Sequence, residues 1–171
     1  MQDSAIYEPS HIANYFLKKA HAEDIDVTQL KLLKLVYIGY GWVQAILDRP
    51  LFEDDIEAWP HGPVVPSLYN EFKHFGRKPI TSLATEFDLD SLELEVPEIA
   101  TADKNANLVL GKVWDVYYRY SASALRNKTH EANTPWTITY DDGRGRGSEI
   151  PPKLIKDHFK KRIAEYVEAA K

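Results

Sequence analysis

Residues 28–52 read TQLKLLKLVYIGYGWVQAILDRPLF, and the assignment of this stretch decides the fold. On a helix its apolar residues fall on nearly every side: Leu30, Leu32, Leu33, Leu35, Val36, Ile38, Val43, Ile46 and Leu47. Tyr37, Tyr40 and Trp42 fill most of the remaining positions. A helix that is apolar all round belongs in a protein core or in a bilayer. This one is short for a bilayer and is interrupted by Lys31, Lys34 and Gln44, so it is assigned to a core. Thr28 is placed to cap its N-terminus, with Val27 and Leu32 as an apolar staple across the cap. A central helix is therefore predicted over residues 29–47.

Downstream, residues 48–50 form a turn, and Ile56 to Trp59 read as a short, partly alternating strand. Pro60, Gly62, Pro63 and Pro66 then punctuate the chain in quick succession. Proline fixes φ and gives up a donor, so WPHGPVVP (59–66) is neither a long helix nor a central strand. It reads as a rigid elbow into a helix that opens near Pro66, carries Leu68, Tyr69, Phe72 and Phe75, and stops at Gly76. Upstream, residues 9–20 are predicted as an amphipathic helix with Ile12, Phe16, Leu17 and Ala20 inward. Residues 85–96 alternate as a strand would, although Leu89, Leu92 and Val96 also suit a helix. They are read as irregular with a short strand at residues 92–96, paired with residues 56–59. Residues 102–120 are predicted helical, with Val109, Val113, Val116, Tyr117 and Tyr120 on one face. Ser121 or Ser123 opens a short helix through Leu125, Thr134 caps another, and Pro151-Pro152 begins a terminal helix. DGRGRG (142–147) reads as an exposed loop. The expectation is one compact, mainly α-helical domain over residues 1–171 with a small β element.

Composition bounds the chemistry. The 171 residues suit a single core, and 44% hydrophobic with 27% charged residues is the make-up of a globular chain. There is no cysteine, which excludes disulfides, thiolate metal sites and a cysteine nucleophile. A net charge of −5 argues against broad binding to phosphate backbones, which needs clustered Lys and Arg. The N-terminal MQDSAIYEPS has neither a basic region nor an apolar run, so a cytoplasmic location is expected, with no membrane association.

Motifs for catalysis, cofactors and metals are not found. The six histidines (His11, His21, His61, His74, His130 and His158) show no i,i+3 or i,i+4 pairing. No GxSxG elbow is present, and GRGRG lacks the lysine and the flanks of a phosphate loop. Trp59, Trp136 and His130 could wall a small-molecule pocket. The favoured reading is a packed histidine whose ring nitrogens meet backbone carbonyls, with both tryptophans in the core. Tyr117, Tyr118 and Tyr120 cannot all turn inward, because consecutive helical residues diverge by about 100°. Tyr118 and Arg119 are therefore expected on the surface, with the composition of an interface anchor.

The series Gln29-Leu30-Lys31-Leu32-Leu33-Lys34-Leu35, Gly41-Trp42, Pro50-Leu51-Phe52, Ile56 to Trp59, Gly62-Pro63-Val64, Leu68-Tyr69 and Phe72-Lys73 resembles the Panacea-domain (SocA-like) antitoxin family. Leu125, Thr129-His130 and Pro135-Trp136 match a second signature of that family, and the likeness spans roughly residues 9–167. The resemblance implies an antitoxin that binds and neutralises a cognate toxin protein of a bacterial or phage pair, one form of which presents the toxin to a Clp-class protease. It further implies that Trp59, Gly62, Pro63, Thr129, His130, Pro135 and Trp136 hold the fold, leaving Tyr118 and Arg119 as candidate partner contacts. The alternative is a phage-associated regulator that binds nucleic acid or a transcription factor.

Overall fold

The computed structural model describes residues 5–171, so the first four residues of the N-terminal segment considered above lie outside the described part. In chain order the elements are α1 (Pro9–Ala22), α2 (Gln29–Leu47), β1 (Glu57–Trp59), β2 (Gly62–Val64), α3 (Pro66–Phe72), β3 (Glu86–Phe87), β4 (Leu94–Glu95), α4 (Lys104–Tyr117), α5 (Ala122–Thr129), α6 (Pro135–Tyr140) and α7 (Pro152–Ala169). The architecture is mainly α, with two separate two-stranded antiparallel hairpins.

Helix α2 is the axis, and α1, α3, α4, α5, α7 and β2 all pack on it. Thr28 caps it through a hydrogen bond from the Lys31 amide, 3.4 Å, and Asp48 ends it in the left-handed region at φ 58°. Its 19 residues are long enough to cross a bilayer, contrary to the expectation from length, but 78% of its most apolar window is buried inside the domain. What keeps it in a core is its cover of helices. Two glycines let that cover come close. A methyl group at Gly39 would lie 2.9 Å from Leu110 Cδ2, and one at Gly41 would lie 2.1 Å from the Phe159 ring. Phe159 packs edge-on against Trp42 and Tyr37 and seats α7 on this spot.

The first hairpin corrects the expected strand pairing. Residues 56–59 pair with β2 and not with residues 92–96, in the register Ala58↔Pro63 and Trp59↔Gly62. Gly62 adopts φ 111°, which turns the chain back on itself where an elbow was expected. Pro63 has no donor, and it lies opposite Ala58, whose own amide points the other way to Ser148 O at 2.9 Å. Residues 147–150 thus cover the outer edge of β1, with Ile150 N bonded to Ile56 O at 2.7 Å.

Residues 86–95 form the second hairpin, and its apolar residues face solvent. Its base is tied to α1 by the fully buried Asn14. The amide of Asn14 accepts from Ala84 N at 2.8 Å and donates to the carbonyls of Ala84 and Pro97, each at 3.0 Å. Helix α4 ends at Tyr117, three residues short of the predicted end, and Val116 is exposed where an inward position was expected. The stripe of α4 runs through Ala106, Val109, Leu110, Val113 and Trp114, a 3.6-residue period that leaves Val116 off the core face.

Gly41→Ala is expected to destabilise the fold by about 1–3 kcal/mol, because overpacking against Phe159 outweighs the better helix propensity of alanine. Urea unfolding checks it. A variant as stable as the parent would mean that α7 does not seat on α2 at Gly41.

Candidate functional site

The seven residues read above as a family signature gather around one cluster between α2, the β1–β2 hairpin and the α5–α6 junction. At its base is Lys34, in the middle of the apolar central helix and fully buried. Its Nζ donates to the Pro63 carbonyl at 2.9 Å. Burial, with Arg126 adding, pulls the amine from its ordinary pKa of 10.5 to about 7. Gly62 lies directly above: a methyl group there would stand 2.7 Å from Lys34 Cε and 2.9 Å from Thr129 Oγ1. The lysine therefore needs both the missing side chain of Gly62 and the inward-facing carbonyl of Pro63.

Thr129 closes the side of this contact, its hydroxyl donating to Arg126 O at 2.7 Å. The Thr129 carbonyl accepts from Thr134 Oγ1 at 2.7 Å, and Thr134 in turn caps α6 by accepting from Thr137 N at 3.2 Å. Pro135 occupies the first turn of α6, where its missing donor costs nothing. Trp136 then sends its indole N–H back to the Trp59 carbonyl at 2.8 Å, locking α6 onto the hairpin. His130 stacks on Trp136 with ring centres 3.6 Å apart, and Tyr140 stacks on Trp136 at 4.6 Å.

Two expectations are corrected here. His130 is not held by carbonyl partners at both nitrogens, since its buried Nε2 has none among the described residues; stacking holds the ring instead. Burial, with Arg126, Lys34 and His61 adding, brings its pKa down to about 4, so the imidazole is neutral at neutral pH. Trp59 is half-buried, not a core residue like Trp136. Its ring rests on Tyr69 at 4.9 Å, and its N–H goes to the neighbouring Glu57 carboxylate at 2.7 Å. With His130 and Tyr140 stacked on Trp136, that ring is packed within the cluster. Between α2, α5 and α7 there is a cleft of about 50 Å³ lined by Tyr37, Trp42, Tyr117, His158 and Arg162, and next to it the α5–α6 turn and α7 line a wider, charged groove of about 360 Å³ through Glu131, Pro135, Asp157, Lys161 and Glu165. No group of three His, Asp or Glu side chains is arranged to hold a metal ion among the described residues.

Tyr118 and Arg119 lie outside this cluster, just past the end of α4. Arg119 is exposed, and its guanidinium lies 5.2 Å over the Tyr118 ring while Nε donates to the Tyr118 hydroxyl at 2.6 Å. Tyr118 is half-buried, with its ring stacked on Trp114 at 5.7 Å and its carbonyl accepting from Lys31 Nζ at 2.5 Å. Tyr117 and Tyr120 are half-buried as well and contact each other at 5.7 Å. The expected contrast between packed and outward tyrosines is softened, because Tyr118 continues the helical turn and lays its ring on Trp114, four residues back. Sequence reasoning missed Lys34 and Asn14 as keystones. For Lys34 a signal existed: a cation in the middle of a helix apolar on every side.

The Lys34 amine sets a pH dependence. Between about pH 7 and 9 the unfolded chain binds a proton here that the folded chain does not. Stability attributable to this group therefore rises with pH in that window, by on the order of 1 kcal/mol per unit. Below pH 7 both states are protonated and the cost of the buried charge is constant. Urea unfolding of the parent and Lys34→Met at both ends of the window checks it: the parent gains stability relative to the variant as pH rises. Parallel pH profiles would mean that the amine keeps its water on folding.

Residues 32–137, well over half of the chain, match the family described as Antitoxin SocA-like, Panacea domain. Over 162 residues the chain is 33% identical to Antitoxin SocA of Caulobacter vibrioides (strain NA1000 / CB15N), covering 93% of this chain and 86% of that protein. No solved structure matches the fold. The matched span and the near-full-length likeness agree, and the chain belongs to the SocA-like, Panacea-domain antitoxin family.

Proposed function

We propose that this protein is a non-catalytic antitoxin that acts in the cytoplasm by binding and neutralising a cognate toxin protein. The observation that carries the proposal is the likeness to an antitoxin along 93% of the chain. The geometry supports it in one respect: the residues read as a family signature take part in internal packing, which favours other surfaces for a partner. Tyr118 and Arg119 are one such surface. The stack of Trp114, Tyr118 and Arg119 is already formed in the free chain, and a preformed contact lowers the entropy cost of binding. Aromatic and arginine side chains are also the residues that anchor tight interfaces.

Co-expression with the neighbouring open reading frame tests the proposal. Toxicity of that product relieved by this chain supports it; toxicity left unchanged contradicts it. The form of neutralisation follows from the toxin's level. A toxin that persists is inhibited by binding alone, and one that vanishes but returns when a Clp-class protease is deleted is delivered for degradation. At the level of residues, a folded Tyr118→Ala, Arg119→Ala double variant is expected to bind the purified toxin at least tenfold more weakly, a loss of about 1.4 kcal/mol or more. Affinity within about twofold of the parent removes this stack from the interface.

A further inference from the structure

The β3–β4 hairpin is built in a way that packing alone does not explain. Phe87, Leu89, Leu92 and Leu94 are 56%, 80%, 69% and 69% exposed, all within ten residues. Single exposed apolar side chains are ordinary on a protein surface, whereas a contiguous group of this kind marks a place where something binds. The hairpin is also held in position. Asn14 clamps Ala84 and Pro97 at its base from inside the core, and on the surface Ser10 bonds to Glu86 while Lys18 pairs with Glu98. At its turn Asp88 accepts from the amides of Asp90 and Ser91 at 2.8 and 2.6 Å. Leu92 then takes φ 58°, a left-handed conformation that a leucine adopts at a cost and that glycine or asparagine would take more easily. A solvent-facing leucine kept in a strained conformation contributes little to the stability of this domain.

The charge around these side chains selects the occupant. Glu86, Asp88, Asp90, Glu93 and Glu95 alternate with the apolar residues, and no Lys, Arg or His occurs between Lys78 and Lys104. Five carboxylates repel nucleic acid, an anionic lipid surface and a second copy of the same hairpin. They fit a protein surface whose apolar centre is ringed by Lys and Arg. Strands β3 and β4 pair only with each other, so each also keeps a free backbone edge to which an extended segment can add.

We propose that this hairpin is a docking site for a basic, apolar surface of the toxin, a proposal that rests on the antitoxin reading and gives it a second contact. The leucines supply the buried centre of that contact and the carboxylates supply its steering and selectivity.

The test titrates the purified product of the neighbouring open reading frame against the full chain and three variants, each first shown to melt like the parent. Leu89→Ser with Leu94→Ser is expected to weaken binding more than tenfold. Glu93→Gln with Glu95→Gln is expected to flatten the fall of affinity with added salt. Leu92→Asn, which removes the strain, is expected to melt at the same or a higher temperature and yet to bind more weakly, a combination that a purely structural leucine would not give. Variants that all bind within about twofold of the parent overturn the hairpin proposal and leave the antitoxin reading standing. A parent chain that does not bind the product overturns both. Self-association of the parent, or its binding to duplex DNA or to anionic vesicles, abolished by the leucine variant would assign the hairpin to that occupant and overturn the proposal.

Discussion

The amine of Lys34 is drawn fully out of water and aimed at one carbonyl oxygen, that of Pro63, and the surroundings of the family signature are arranged to permit it. Removing an ammonium group from water costs several kcal/mol unless it is paired or neutralised. Here no carboxylate is its hydrogen-bond partner, and the downward shift in its pKa shows how the charge is relieved. The contact requires glycine at 62, because any Cβ would collide with the lysine, and a strand turned so that the carbonyl of residue 63 faces inward. Thr129 fills the remaining side, and its carbonyl starts the chain of bonds through Thr134 that caps α6. Trp136 then returns a hydrogen bond to the hairpin. Stretches more than sixty residues apart in sequence are thereby fixed to the same point on α2.

A consequence follows for function. The residues read from the sequence as a family signature include those that close this internal circuit, through Gly62, Pro63, Thr129 and Trp136. That packing role favours a partner held by other surfaces of the scaffold. Two stand out on physical grounds, with opposite character. One is the stacked Tyr118–Arg119 pair at the end of α4, cationic and already formed in the free chain. The other is the acidic, leucine-bearing hairpin bolted to α1 through Asn14. Their opposite charges would favour a partner presented in a single orientation.

Much of the scaffold was legible in the sequence, because α2 is specified by local chemistry. Its limits at residues 29 and 47, its Thr28 cap and the Thr134 cap all follow from periodicity and from side chains that bond their own backbone, while the α5 cap, open between Ser121 and Ser123 in the sequence, falls to Ser121. The strand pairing was not legible. Residues 56–59 and 92–96 share an alternating pattern, and only the turn allowed by Gly62 and the donor-free face of Pro63 decide that the first pairs locally. Lys34 and Asn14 find their partners at least 29 residues away, so the local sequence could mark Lys34 as an odd cation in an apolar helix but could not name the partner of either. Residues 85–96 were ambiguous because their apolar residues answer to no core at all, so neither period could be enforced by burial. The resemblance to the family implied a structural role for the signature residues, in line with the packed reading that the residues alone already favoured over a pocket.

Hydrogen exchange of the backbone, measured on the free protein and on its complex with the toxin, tests most directly whether the signature is scaffold and the partner binds elsewhere. The predicted result is slower exchange in the complex at residues 86–95 and around residues 118–120, with residues 57–64 and 129–136 already protected in the free protein and unchanged on binding. New protection concentrated in residues 57–64 and 129–136 would contradict the assignment and make the signature cluster itself the binding surface.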